Sequence, residues 1–113
     1  MSVINSELAE HYNWGESCDG WHLVKTSKLS VIQERVPPNC AENRHYHRNA
    51  EQFFFILSGV ATMEMDGEFF TLTANDGIHV SAGVKHQISN QHHSDLLFTV
   101  TSTPPSHGDR VDL

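Results

Sequence analysis

Residues 44–59 read RHYHRNAEQFFFILSG, and their reading decides the fold. The run from Phe53 to Leu57 is apolar, rich in aromatic side chains, and closed by Gly59, as a strand would be. In a strand, residues i and i+2 project from one face, so His45 and His47 aim both imidazoles at one point, where one divalent cation fits. The plainer alternative is that two histidines merely line a polar face. A third donor follows within a few residues, either Glu51 or Gln52. Alternation puts Gln52, Phe54 and Ile56 on one face and Glu51, Phe53, Phe55 and Leu57 on the other, so only one of the two reaches the cation.

Further along, residues 75–90 read NDGIHVSAGVKHQISN. Together the two segments resemble the two conserved motifs of the cupin family. The first motif is a Gly, five residues, His-x-His, three or four residues, Glu, six residues, Gly. Here Asn39 stands for the leading Gly, His45 and His47 follow five residues on, and six residues separate Gln52 from Gly59. That spacing favours Gln52 over Glu51. The second motif, a Gly, five residues, Pro-x-Gly, two residues, His, three residues, Asn, is met by Gly83, His86 and Asn90, with Asn75 for Gly and Ser81 for Pro. Asn is the non-glycine residue that best tolerates left-handed backbone, so Asn39 and Asn75 preserve the turns.

The resemblance spans residues 29–103. It implies an all-β, single antiparallel cupin-type β-barrel (jelly roll), with His45, His47, Gln52 and His86 as ligands of one divalent transition metal ion: Fe, Mn, Ni, Cu or Zn. Three imidazoles and an amide add no negative charge, so the ion's full charge acts on whatever fills its open positions, and anions are favoured there.

The remaining sequence agrees with a mostly β domain. Strand-like runs WHLVKTS, LSVIQERV, RHYHR, EQFFFILS, VATMEM, EFFTLT, GIHVS, HQISN and DLLFTVTST are separated by turn residues. Pro37 with Pro38 and Pro104 with Pro105 stop the strands they follow. Asp66-Gly67 suits a two-residue type I′ hairpin. We expect one domain over residues 1–113, with a core barrel at 21–103. Residues 1–20 read as an irregular segment, with a helical turn around Ser6 to His11, lying at a homodimer interface. Residues 104–113 form a polar tail whose ending, STPPSHGDRVDL, resembles tails of small single-domain cupins and carries no mechanism.

Composition narrows the partners. Asp and Glu outnumber Lys and Arg by 14 to 7, giving a formal charge of -7 and no basic face for nucleic acid. No segment is apolar for long enough to span a bilayer, and the N-terminus lacks a secretory pattern. We expect a cytoplasmic protein in which Cys18 and Cys40 are free thiols.

Phe54 and Ile56, on the face of Gln52, and His79, just before the second motif's turn, are candidate walls of a substrate pocket. Phe54 and Ile56 serve equally well as plain core. His92 and His93 belong to a solvated loop, and nothing is assigned to His11, His22 or His107. The site suits a metal-dependent enzyme, dioxygenase-like or an isomerase or lyase, acting on a small anionic or enolisable molecule. The motifs hold no obvious general base, which fits oxygen chemistry better than hydrolysis. The alternative is a non-catalytic module that binds or senses a small molecule.

Overall fold

A computed structural model describes residues 2–106 and 108–113; His107 lies outside the described residues. These residues contain no helix, hence none able to cross a membrane. Their strands run in chain order as β1 (Glu10–Trp14), β2 (Cys18–Lys25), β3 (Ser30–Val36), β4 (His45–His47), β5 (Glu51–Ser58) and β6 (Ala61–Met65), then β7 (Glu68–Leu72), β8 (Gly77–Val80), β9 (His86–Ser89), β10 (Leu96–Thr103) and β11 (Arg110–Asp112). Each run read as a strand in the sequence is one of β2 to β10, and β3 and β10 stop at the residue before a proline.

Two antiparallel sheets face each other as a jelly roll, one ordered β1-β2-β3-β10-β5-β8 and the other β11-β4-β9-β6-β7. Strand alternation fills the space between them. On β10, Leu96, Phe98, Val100 and Ser102 are buried, and on β5 Gln52, Phe54 and Ile56 are, while Glu51, Phe53 and Leu57 face outward. The core lies at one end of the barrel around Ile56, Met63, Ile88, Leu96 and Phe98, leaving the other end open for polar side chains.

The turns follow the left-handed residues. Asp66 and Gly67 have φ of 50° and 90° and join Met65 to Glu68 in register, as a type I′ hairpin requires. Asn39 and Asn75 have φ of 64° and 72°, so the two asparagines at glycine positions adopt the backbone that the glycines would. Buried Asn90 is a clamp: its Nδ2 donates to Val36 O (2.9 Å) and Ser94 O (2.8 Å), and its Oδ1 accepts from His92 N (3.0 Å).

Both ends of the chain correct the expectation. The turn near the N-terminus is centred earlier, with Asn5 O accepting from Leu8 N and Ala9 N, and the chain from Glu10 is strand: β1 pairs with β2, which itself begins at Cys18 rather than Trp21. Residues 110–112 are not a tail but β11, paired with β4. Neither strand is apolar enough to be read from sequence, because each is short and packs through mixed side chains. Asp109 adds a lock: its carboxylate accepts from Arg48 N (3.1 Å), Asn49 N (3.0 Å) and Ala50 N (2.8 Å), tying the chain end to the β4–β5 loop. Cys18 and Cys40 are free, and burial pushes the Cys18 thiol up to about 11.

Replacing Asn75 by Ala should cost about 1–2 kcal/mol, because a side chain with a plain Cβ pays the left-handed penalty there, while Asn75→Gly should be near neutral. Urea unfolding of the two variants measures the difference; equal losses would show that the turn does not depend on its φ.

Candidate metal centre

The three histidines come together from two strands. His45 and His47 lie on one face of β4, and His45 is paired in register with His86, the first residue of β9. Their rings stand 4.4 Å (His45–His86), 4.9 Å (His45–His47) and 6.0 Å (His47–His86) apart between centroids. One ligand nitrogen from each lies within 4.8 Å of the others, and all three residues are buried. Gly83 N donates to His47 O at 2.7 Å, so the turn ahead of His86 is fastened to the strand that bears the other two histidines. Arg44, just before β4, pairs through two bonds (2.6 and 3.1 Å) with Glu64 on β6, fixing β4 from outside the site.

Ring tautomers follow from hydrogen bonds. His45 Nδ1 donates to Asn43 O (2.8 Å) and His86 Nδ1 to Val84 O (2.9 Å); a carbonyl can only accept, so each neutral ring keeps its lone pair on Nε2. Burial is the main cause that lowers the three imidazoles, His45 to about 3 and His47 to about 4, with His86 lowered as well. All three are therefore neutral near pH 7. His86 Nε2, His47 Nδ1 and Gln52 Oε1 are buried with no hydrogen-bond partner among the described residues. Such orphaned acceptors are costly in a folded protein unless something completes them, and a cation is the group that lone pairs of this kind fit.

Gln52 is buried on β5, opposite Ser102 on β10, whose Oγ accepts from Gln52 Nε2 at 2.9 Å; the amide oxygen is left facing inward, in the cavity lined by His45 and His47. Glu51, by contrast, points outside, where it pairs with His79 Nε2 at 3.0 Å. That pair corrects one expectation: His79 has a side chain 54% exposed on the outer face of β8 and does not line that cavity. Phe54 does line the cavity and meets His86 edge-on, with ring centroids 6.0 Å apart. Ile56, fully buried in the core, does not line it; two residues further along β5, it has passed the end of the open space.

The cavity has a volume of about 280 Å³. One wall is the histidine cluster. Apolar Trp14, Ile32 and Val100 form part of the rest, and Tyr12, Glu34, Glu42 and Arg110 supply polar groups that the sequence reading missed. Two of these, Glu34 and Glu42, are the general-base candidates that the motifs lack. Burial raises both, Glu34 to about 8 with Glu42's charge contributing, and Glu42 to about 7. Glu42 Oε1 also accepts from Ile88 N at 3.0 Å. A signal for Glu34 did exist, since Ser30, Ile32, Glu34 and Val36 form one phase of a strand otherwise buried on that face. Tyr12 and Arg110 gave no signal, as each sits in a strand that the sequence does not announce.

A jelly-roll barrel with a buried three-histidine cluster at its open end is the class that fold and site define. The family model for the cupin domain matches residues 32–102, and the chain belongs to the cupin family. It is 30% identical over 89 residues to an uncharacterized protein of Methanocaldococcus jannaschii, covering 78% of this chain and 71% of that one. It is 36% identical over 79 residues to a mannose-1-phosphate guanylyltransferase of Salmonella montevideo, covering 68% of this chain but only 16% of that enzyme. Similar solved structures include the polyketide cyclase RemF of Streptomyces resistomycificus (TM-score 0.86, 13% identity, 100% of this chain and 85% of that chain). A predicted oxalate decarboxylase of Thermotoga maritima is similar too (TM-score 0.84, 19% identity, 90% and 98%). At such identities the structural likeness shows the fold alone.

The pH dependence of the cluster can be given a sign. Because the folded-state values of the histidines lie below the ordinary 6.5, the stability these rings contribute is full above that value and is lost as pH falls toward 3–4. Glu34 and Glu42 act oppositely, holding protons that the unfolded chain releases above its ordinary 4.5, so their cost grows as pH rises toward 7–8. In metal-free protein at pH 5.5, imidazole ¹⁵N shifts should therefore read His45 as a neutral Nδ1–H tautomer. Imidazolium shifts for it would show that water reaches the cluster and that the ring is not set as described.

Proposed function

We propose that this cupin is a metal-dependent enzyme acting on a small anionic or enolisable molecule. The observation that carries it is the set of buried lone pairs without partners on His86, His47 and Gln52, gathered beside a cavity. His45, His47, His86 and Gln52 would hold one divalent first-row ion, Fe, Mn, Ni, Cu or Zn. Such an ion supplies Lewis acidity at its open positions and, as Fe or Mn, reactivity toward O₂. The protein's part is to keep the imidazoles neutral, to orient them through Asn43 O and Val84 O, and to turn the Gln52 amide through Ser102. Arg110 lines the same cavity and, though its Nε is paired with Asp112 at 2.7 Å, keeps further N–H groups that suit an anionic ligand.

Both a dioxygenase and an isomerase or lyase remain consistent with these donors. Cavity carboxyls weigh toward proton-transfer chemistry, since an oxygenase needs none. Names borne by proteins of the same barrel, a sugar phosphate isomerase from Silicibacter pomeroyi and the polyketide cyclase among them, lie in the same direction. Glu34 weighs against a module that only binds or senses a small molecule, because a cavity carboxyl with no protein partner gains such a module nothing. We further propose a cytoplasmic homodimer. Phe53 and Leu57 on the outer face of β5 are 44% and 42% exposed, beside stacked Phe55, and supply apolar surface for a second copy.

Metal analysis of protein purified without a polyhistidine tag tests the ligand set. We expect about one ion per chain in wild type and in Glu51→Ala, none retained in His47→Ala, and affinity weakened at least about tenfold in Gln52→Ala. Loss of metal in Glu51→Ala with a full site in Gln52→Ala would overturn the assignment. Oxygen uptake by the Fe and Mn forms with small enolisable acids separates the oxygenase from the isomerase or lyase.

A further inference from the structure

On the wall facing the histidine cluster, Glu34 stands in register between Gly20 on β2 and Phe98 on β10, with Tyr12 on β1 opposite Gly20. A Cβ at position 20 would run into the Tyr12 ring; only glycine leaves room for Tyr12 to lie across β2 toward Glu34. Both side chains line the cavity. Among the described residues the Glu34 carboxyl has neither hydrogen bond nor ion pair, and the Tyr12 hydroxyl has no hydrogen bond. The neighbouring acids are engaged: Glu64 by Arg44 and Glu42 by Ile88 N. Glu34 is half-buried and lines the cavity with its carboxyl unclaimed by the protein, so a ligand there can reach it, and ionisable groups held in a cavity this way gather at functional sites.

We propose that Glu34 is the acid–base residue of this cavity and that its ligand is a small 2-oxo acid. The Arg110 guanidinium pairs through Nε with Asp112 (2.7 Å) and donates through Nη2 to Asn43 O (3.3 Å), which leaves N–H groups for the carboxylate of such a ligand; the keto oxygen suits the cation held by the donors proposed above, so the assignment rests on that reading. The C–H bond on the carbon next to the keto group breaks. Its proton passes to a Glu34 oxygen, and its electron pair moves onto the keto oxygen to give the enolate. Return of a proton from Glu34 restores the C–H bond, and no oxidant or reductant is consumed. Burial, with Glu42's charge second, places Glu34 near neutrality, where a residue is best able both to take and to return a proton. The groups around it are Tyr12 on β1, His22 stacked on Tyr12 from β2, Glu42 ahead of β4 and Arg110 on β11, with uncharged Phe98 on β10.

Exchange of the pyruvate methyl hydrogens for deuterium in D₂O, followed by ¹H NMR with and without Zn(II) or Mn(II), tests the proposal. We expect metal-loaded wild type to exchange at least tenfold faster than E34Q, with E34D between them and metal content equal in all three. A second measurement needs no metal: ¹³C NMR of the apoprotein should show two carboxyls titrating well above the ordinary range in wild type, those of Glu34 and Glu42, and only one of them in E34Q. Equal exchange in wild type and E34Q, wild-type exchange no faster than free metal ion in buffer, or the absence of a raised titration that E34Q removes would each overturn the role of Glu34. Failure of the metal reading shows separately, as wild-type protein that takes up no ion.

Discussion

The cross-strand pairing of His45 with His86 is the constraint on which the site depends. It is the register that joins β4 to β9, and it sets two imidazoles side by side, their centroids 4.4 Å apart. The pleat of β4 then brings His47 to the same side. A three-residue strand cannot hold such a register by itself. It is held because β11 pairs with its other edge, Gly83 N bonds to His47 O, and Arg44 is gripped by Glu64. Each of these contacts is distant in sequence, so the geometry of the donors is a property of the closed barrel rather than of the motif that contains them.

Most of the barrel was legible because its signals are local. Proline ends, the Asp66-Gly67 hairpin and the alternation of β5 each depend on a few adjacent residues. The same alternation separates Gln52 from Glu51 in the sequence, and the structure puts one inside and the other in a pair with His79. His79 itself was misread, since its place on β8 opposite Phe53 follows from a pairing that sequence does not show. β1 and β11 failed for a related reason. Their residues are mixed in polarity, and what makes them strands is the partner edge that each covers.

The two walls of the cavity have opposite electrostatic design. Neutral imidazoles on one side are kept free of protons by burial, while on the other burial raises Glu34; Glu42, raised as well, stands beside the cluster, 3.9 Å from His45 Nδ1. Desolvation, one cause, thus prepares lone pairs for a cation and acids for proton exchange. Entry of a divalent ion would favour the ionised form of both carboxyls, so the proton state of the far wall is coupled to occupancy of the near one. Stability and chemistry then share their titrating groups, and the apoprotein's response to pH need not resemble that of a loaded protein.

The walls originate in different parts of the chain. The matched family region, residues 32–102, carries all four proposed ligands, but Tyr12, Trp14 and Arg110 lie outside it on strands near either end of the chain. A barrel that supplies the donors can serve many reactions, since fold leaves function to the site grafted on it. With the donors' lone pairs turned to the proposed cation, the contacts that select a ligand are left to the residues of β1, β3 and β11 that line the cavity. In this chain the notable position among them is Glu34, the acid that breaks the apolar phase of β3 and makes neither a hydrogen bond nor an ion pair among the described residues.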